Sequence, residues 1–383
     1  MNWLLKQCRL ISPDQEIENA AVLIENGVVR RIFAEGDALP SADRVTDVEG
    51  AMTVPGFIDV HCHGKSGFDF CDAAEEAMET IGKDKLKEGV TSFLPTTLTL
   101  PEELLARALQ TAADYVKKDV KGVKVPGVHL EGPFINPKCL GAQNPDYVRE
   151  PDIEMVRRLA AIFPVKKVSY AVEMPGGAEF AAELLSEGIT PSCVHSAAKF
   201  EEFEAAHRHG LQNLTHFCNQ MTPLHHRDIG LVGAGLACKD VFIEMICDKL
   251  HLCPDMIRLV FSLKDLEKIQ LITDAMRAAG MPDGESSLGG LAVIVKDGAA
   301  RLASNGALAG STLQVCDALR NVYEITGLPL KELIKTTSWN QAQALGLKNL
   351  GKIAPGYAAD IVILDDRFKV RSVLVDGELR YQA

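Results

Sequence analysis

Eight short apolar runs divide the middle of the chain: "GFIDVH", "GVTSFLPT", "GVHLEG", "SYAVE", "TPSCVH", "QNLTHF", "FIEMIC" and "IQLITDA". They recur at intervals of roughly 20–45 residues, with helical stretches such as "EEAMETIGKDKLKEG" and "EELLARALQTAADYVKK" between them. Strand–helix alternation implies parallel βαβ units. Eight such strands is the number that a (β/α)8 TIM-like barrel needs. The run "LGGLAVIVKDGAARLASNG" reads as a β-hairpin inserted before the last long helix.

The two ends read differently. "AAVLIENGVVRRIFAEG" has β-rich runs on either side of Asn26-Gly27, a strong hairpin signal. "ADIVILDDRFKVRSVLVDGELRY" repeats the pattern with a turn at Asp376-Gly377. Two β-rich ends around a different middle predict that the termini pair. Residues 1–54 and 346–383 are expected to form a small β-sandwich domain, and residues 55–345 the barrel.

In a barrel of this kind, chemistry gathers at the C-terminal ends of the strands. The polar residues of this chain gather there too. "GFIDVHCH" ends in His61 and His63, "VHLE" in Glu131, "PSCVH" in His195, "NLTH" in His216 and "QLITD" in Asp274. Side chains alternate along a strand, so His61 and His63 share a face while Cys62 points away. Imidazoles and carboxylates together make a mixed N/O site suited to Zn²⁺ or another first-row divalent ion. A central glutamate could bridge two ions, and Asp274 could hold a water and shuttle its proton. Each residue also has an ordinary structural reading. A lone HxH pair can cap or support, Glu131 could cap a helix, and His195 could be a satisfied core histidine. Six such groups at successive strand ends favour the metal centre. His129 shares the face of Glu131 and reads as a hydrogen-bonding support. His207 and His209 lie in a charged helical segment and read as surface residues. A basic cluster, "NQMTPLHHRDIG", carries His225, His226 and Arg227, and Arg227 can fork onto a phosphate or carboxylate. Ser311 or Thr312 is expected to cap the last long helix.

Composition narrows the partners. A formal charge of −12 argues against nucleic acid as the main partner but leaves room for an anionic substrate at a locally basic pocket. Ten cysteines without a CxxC pair read as reduced thiols rather than a disulfide framework. The opening "MNWLLKQCRLISPDQ" is neither a signal nor a transit peptide, and no apolar run approaches the ~18 residues of a membrane span. The expectation is a soluble cytoplasmic protein with no membrane partner.

"PGFIDVHCHG", "HLEGPFINP", "THFCNQM", "LITDAMRAAG", "GALAGSTL" and "GKIAPGYAADIVILD" together resemble the N-acetylglucosamine-6-phosphate deacetylases of the amidohydrolase superfamily. The resemblance runs in the same order along nearly the whole chain, and "HLEGPF" is its most specific part. It implies that Glu131, His195 and His216 are the principal metal ligands. His61 and His63 match the ligands of a second metal, a pair that some members replace. Asp274 matches the catalytic acid/base. Asn219, Arg227 and His251 match positions that hold the sugar phosphate. His251 is expected to come from the neighbouring subunit, which implies a homodimer. Ala142, Gln143, Gln220 and Leu308 fall in substrate-contacting loops. The cofactor implied is one or two divalent ions per subunit, Zn first and Fe, Mn, Co or Ni as alternatives.

The chain departs from the family pattern at four positions. Gln143 stands where several members have a histidine that polarises the amide carbonyl, and its NH₂ can still donate there. Val194 replaces a usual glycine, Gln220 an alanine and Ile229 a proline. These changes bear on which sugar is taken more than on the reaction. The resemblance therefore implies deacetylation of N-acetylglucosamine 6-phosphate. The alternatives are N-acetylgalactosamine 6-phosphate, another amidohydrolase reaction on a cyclic or acylated amide, and a barrel that has lost catalysis and serves as a scaffold.

Overall fold

The computed structural model describes residues 2–118 and 120–383. Its centre is an α/β array. Six parallel strands, Val128–Glu131, Val165–Tyr170, Thr190–Cys193, Asn213–Leu214, Phe242–Met245 and Ile269–Leu271, lie side by side in chain order. Phe57–Cys62 and Val90–Pro95 form a separate parallel pair. Single parallel bridges join that pair to the six: Thr96 with His129 at one edge and Cys62 with Ala275 at the other. The expected eight-stranded ring is thus a six-stranded sheet plus a pair, with short seams. The strand ends are ragged because the polar residues that follow leave the ladder early.

The helices bury one stripe each. Glu102–Lys117 buries Leu105, Ala108, Leu109 and Ala112, the i, i+3, i+4, i+7 spacing of an amphipathic helix. These side chains join the large apolar cluster around the parallel strands. The eight strands themselves are buried almost throughout, as expected where helices cover the sheet.

Both chain ends meet in one eight-stranded sheet, rather than in two stacked sheets. Asn26-Gly27 and Asp376-Gly377 make its hairpin turns with positive φ, as their sequence predicts. Leu5, Leu10 and Val22 share an apolar cluster with Ile361, Ile363 and Leu374, so the sheet curls around its own core. The hairpin expected near residue 290 has a third strand: Gly284–Leu288, Leu291–Lys296 and Ala299–Leu302 pair antiparallel. Its inner face (Leu288, Val293, Val295) packs on Leu98 and Met276, which follow the second and eighth parallel strands. This small sheet therefore overhangs the C-terminal strand ends. The helix after it is Val315–Thr326, with Gln314 at its N-cap position. Ser311 is not the cap; its Oγ donates to the carbonyl of Thr273 at 2.5 Å and ties that loop to the eighth strand's end.

The seam between first and eighth strands is fixed by a buried charge cluster. Asp59 Oδ2 lies 2.6 Å from Lys85 Nζ and 2.5 Å from Thr273 Oγ1. Lys85 Nζ is also 2.6 Å from Glu88 Oε1, and Lys85, Asp59 and Glu88 are fully buried. Just beyond, Asp274 N donates to His61 O at 2.9 Å, and His63 N to Ala275 O at 2.8 Å. Lys85→Met would leave Asp59 buried without a cation and Glu88 with only Lys65, 3.6 Å from its Oε1. We expect it to lower unfolding free energy by about 3–5 kcal/mol, read from urea unfolding midpoints.

Candidate active site

Six side chains converge above the parallel strands. His61 and His63 leave the first strand on one face, as the HxH register predicts. Their Nε2 atoms are 3.3 Å apart, and each is close to Asp274 Oδ1, at 3.3 and 3.2 Å. His195 and His216 form a second pair, with Nε2 atoms 3.4 Å apart. Glu131 stands between the pairs. Its Oε1 lies 3.2 Å from His216, 3.4 Å from His195 and 3.5 Å from His61, while its Oε2 lies 3.3 Å from His63. All six residues are buried.

Three of the six occupy backbone that L-residues seldom adopt. His195, His216 and Asp274 have φ of 43°, 32° and 50°. Each follows its strand's last residue by two or three positions. The left-handed turn swings the side chain off the ladder and over the site. Such strain, about 1–3 kcal/mol per residue, persists only where the surroundings over-determine it.

The chemistry of the donor set fits a divalent cation. His63 Nδ1 lies 3.1 Å from Thr96 O and His195 Nδ1 2.6 Å from Cys139 O. A carbonyl only accepts, so both Nδ1 atoms carry protons and, when the rings are neutral, both Nε2 atoms present lone pairs. Those lone pairs face the Nε2 atoms of His61 and His216. Lone pair against lone pair repels unless a cation or proton sits between. His61, His63 and Asp274 make one triad of possible ligand atoms and Glu131, His195 and His216 another, each within 4.8 Å.

The electrostatics agree. Burial pushes the His61 imidazole down, but the Glu131 and Asp274 carboxylates outweigh it and raise it to about 9. His63 is raised well above its ordinary value against the same burial. Burial pushes Asp274 up, yet His61 and His63 bring it down to about 2, so it is a carboxylate at neutral pH. Glu131 is held well below the usual range by His61 and its other imidazoles, in spite of burial. At His216 burial prevails and the imidazole is lowered. His129 stays outside the donor set: Nε2 faces Ser169 Oγ at 2.6 Å, and Thr96 Oγ1 is 3.4 Å from Nδ1.

A pocket of ≈ 350 Å³ opens above these residues. Ala142, Gln143, Asn219, Gln220, His251 and Leu308 line it, together with His63, Glu131, His195, His216 and Asp274. His251, expected from the neighbouring subunit, lines the pocket of its own chain, with Nδ1 2.6 Å from Asp248 Oδ2. Gln143, expected to be able to donate to the amide carbonyl, also meets the donor set. Its Nε2 donates to Glu131 Oε2 at 2.8 Å, and its Oε1 accepts from Thr99 N at 2.7 Å, so it braces the central carboxylate. Arg227 is exposed beside His226 and stays outside the lining. Leu98, Leu288 and Arg301 line the pocket without having been singled out in the sequence. The strand pattern of the small sheet was the only signal, and it does not say which way that sheet leans.

The amidohydrolase family profile matches residues 52–380. The chain belongs to the amidohydrolase family. Among curated relatives, the N-acetylglucosamine-6-phosphate deacetylase of Lysinibacillus sphaericus is 36% identical over 100% of this chain and 98% of its own length. The N-acetylgalactosamine-6-phosphate deacetylase of Escherichia coli O157:H7 is also 36% identical, over 99% of each chain. Among solved amidohydrolases, the N-acetylglucosamine-6-phosphate deacetylase of Thermotoga maritima superposes with TM-score 0.90 at 35% identity, covering 99% of this chain and 100% of that one. A mutant Mycobacterium smegmatis N-acetyl-D-glucosamine-6-phosphate deacetylase in complex with N-acetyl-D-glucosamine 6-phosphate gives TM-score 0.93 at 30% identity, covering 100% of both chains.

Amidohydrolases are metal-dependent, and the raised imidazoles set the pH sense of metal uptake here. In the metal-free protein His61 is protonated below about 9 and must lose that proton before Nε2 can ligate. Adding Zn²⁺ to metal-free protein at pH 7 should release protons, and apparent affinity should rise as pH rises towards 9. Calorimetry in buffers of different ionisation enthalpy measures this; proton-independent binding would contradict it.

Proposed function

We propose that the chain hydrolyses the acetamido bond of N-acetylglucosamine 6-phosphate, giving glucosamine 6-phosphate and acetate. The observation that carries the reading is the Asp274 carboxylate. It is ionised at neutral pH and sits at the pocket floor against His61 and His63, beside the Glu131 cluster. A base in that position, in a chain 36% identical to a deacetylase along its whole length, fits amide hydrolysis.

Glu131, His195 and His216 would hold one divalent ion, and His61, His63 and Asp274 a second, with Zn²⁺ the first choice for this N/O set and Fe, Mn, Co or Ni alternatives. When bound, such an ion supplies Lewis acidity, polarising a carbonyl and lowering the pKa of water to about 7. Asp274 accepts the proton of the attacking water and returns it to the departing sugar nitrogen. Gln143 fixes the Glu131 carboxylate and leaves one N–H able to face the acetyl oxygen. Asn219 and His251 hold the phosphate end, which anchors the sugar remotely and positions the acetamido group. Ala142, Gln220 and Leu308 shape the walls around the sugar.

The seam bridges support reading the eight parallel strands as a closed (β/α)8 barrel over residues 55–345, with 1–54 and 346–383 as the smaller unit. The family resemblance supports a homodimer; His251 lines the pocket of its own chain, and Arg227 is exposed outside it. Ten unpaired cysteines fit a reducing cytoplasmic setting, and among the described residues no helix is long and apolar enough to cross a membrane. A second reading, N-acetylgalactosamine 6-phosphate as substrate, is favoured by the equally similar Escherichia coli relative.

Acetate release from metal-replete protein tests both readings. The 6-phosphate of N-acetylglucosamine should exceed the unphosphorylated sugar by about 10³ in kcat/KM, or roughly 4 kcal/mol of transition-state binding. A higher kcat/KM for the galactosamine phosphate would select the second reading, and equal rates with and without phosphate would reject both. Asp274→Asn should lower kcat by about 10²–10⁴-fold; a variant that kept most of its turnover would overturn the role given to Asp274.

A further inference from the structure

Below the ligand layer lies a buried ion pair that the mechanism above does not use. Lys167, on the strand Val165–Tyr170, bonds Glu244 Oε1 on the strand Phe242–Met245, and both side chains are 2% exposed. An isolated ion pair in a barrel interior is a costly way to hold two strands together, since apolar residues of similar volume serve as well or better. The second oxygen of Glu244 suggests its use. Glu244 Oε2 lies 3.7 Å from His61 Nδ1. Both atoms are buried, and neither has a hydrogen-bond partner. Lys167 occupies only Oε1, so Oε2 remains turned towards the back of His61.

The other ligand imidazoles differ on this side. His63 and His195 rest on backbone carbonyls, and His216 Nδ1 has no partner. Only His61, among the four, has a carboxylate behind it. We propose that Glu244, held by Lys167, is a positioning residue for the ion of the His61, His63 and Asp274 triad. Its Oε2 accepts the proton of His61 Nδ1 and so fixes the tautomer that leaves Nε2 free for a divalent cation. A carboxylate behind a ligating imidazole orients the ring and strengthens it as a donor. The inference rests on the proposed two-ion centre and is independent of which amide is cleaved. Its consequence is selective: Glu244 supports one ion, and the Glu131, His195 and His216 ion does not depend on it.

The test is titration of metal-free protein with Co²⁺ and Zn²⁺, counting equivalents and measuring each Kd. A His61→Asn variant marks which equivalent belongs to the His61 triad. Removing one member of the ion pair alone endangers folding, so Lys167→Met/Glu244→Leu replaces both with apolar groups. We expect this variant to keep one equivalent at unchanged Kd and to weaken the other by about 10–100-fold. Lys167→Met/Glu244→Gln puts an amide oxygen back behind His61 and should recover part of that loss. Unchanged Kd values for both ions would overturn the proposal. Equal weakening of both ions would make the pair merely structural and overturn it too. A single equivalent that His61→Asn leaves intact would remove the site that Glu244 is said to support. Acetate release by the unsubstituted protein reports separately on the deacetylase reading.

Discussion

One carboxylate organises this molecule's chemistry. Glu131 stands within 3.5 Å of all four site imidazoles, spending one oxygen on His61, His195 and His216 and the other on His63. Such crowding of nitrogen lone pairs around a fully buried anion demands compensating positive charge. Protons supply part of it in the metal-free protein, as the raised His61 and His63 imidazoles show. Divalent ions would supply all of it. Gln143 matters for the same reason: by donating to Oε2 while Thr99 N fixes its own carbonyl, it holds the carboxylate between the two pairs.

The rest of the fold serves to bring these groups together from distant strands. His61, Glu131 and Asp274 are separated by 70 and 143 residues of chain, taken from their numbering, so no local propensity can assemble them. The interior of the parallel array is correspondingly polar at this level. Asp59, Lys85 and Glu88 fasten the first strand to the eighth, while Lys167 and Glu244 span the far side. His129, Ser169, Thr215 and Ser192 form a hydrogen-bonded layer between them. A floor of polar groups linked in this way resists the small shifts that would misplace ligands above it. The left-handed turns at His195, His216 and Asp274 show where that rigidity is spent.

Much of this was legible in the sequence, for identifiable reasons. Strand alternation places His61 and His63 on one face whatever surrounds them. The hairpin turns at Asn26-Gly27 and Asp376-Gly377 are local chemistry, and both formed where the residues predict. The six residues proposed for the metal centre do converge, since strand ends in a parallel array share one rim. Less visible was anything dependent on how one element leans on another. The first and third strands of the overhanging sheet bring Leu288 and Arg301 to the pocket wall. Ser311 turns back to Thr273 instead of capping its helix.

His251 and Arg227 separate the two kinds of information most clearly. The sequence by itself determined the alternation of strand and helix, the pairing of the β-rich ends, and the identity of the groups at each strand end, because all three follow from residue type and short-range spacing. It could not determine on which side of the pocket wall a basic residue stands, since that depends on loops packed by side chains far away in the chain. Only the tertiary structure decided that Asp248 holds His251 inside its own pocket, that Arg227 stands outside it, and that Gln143 spends its amide on Glu131. Each is fixed by contacts between segments that no periodicity connects.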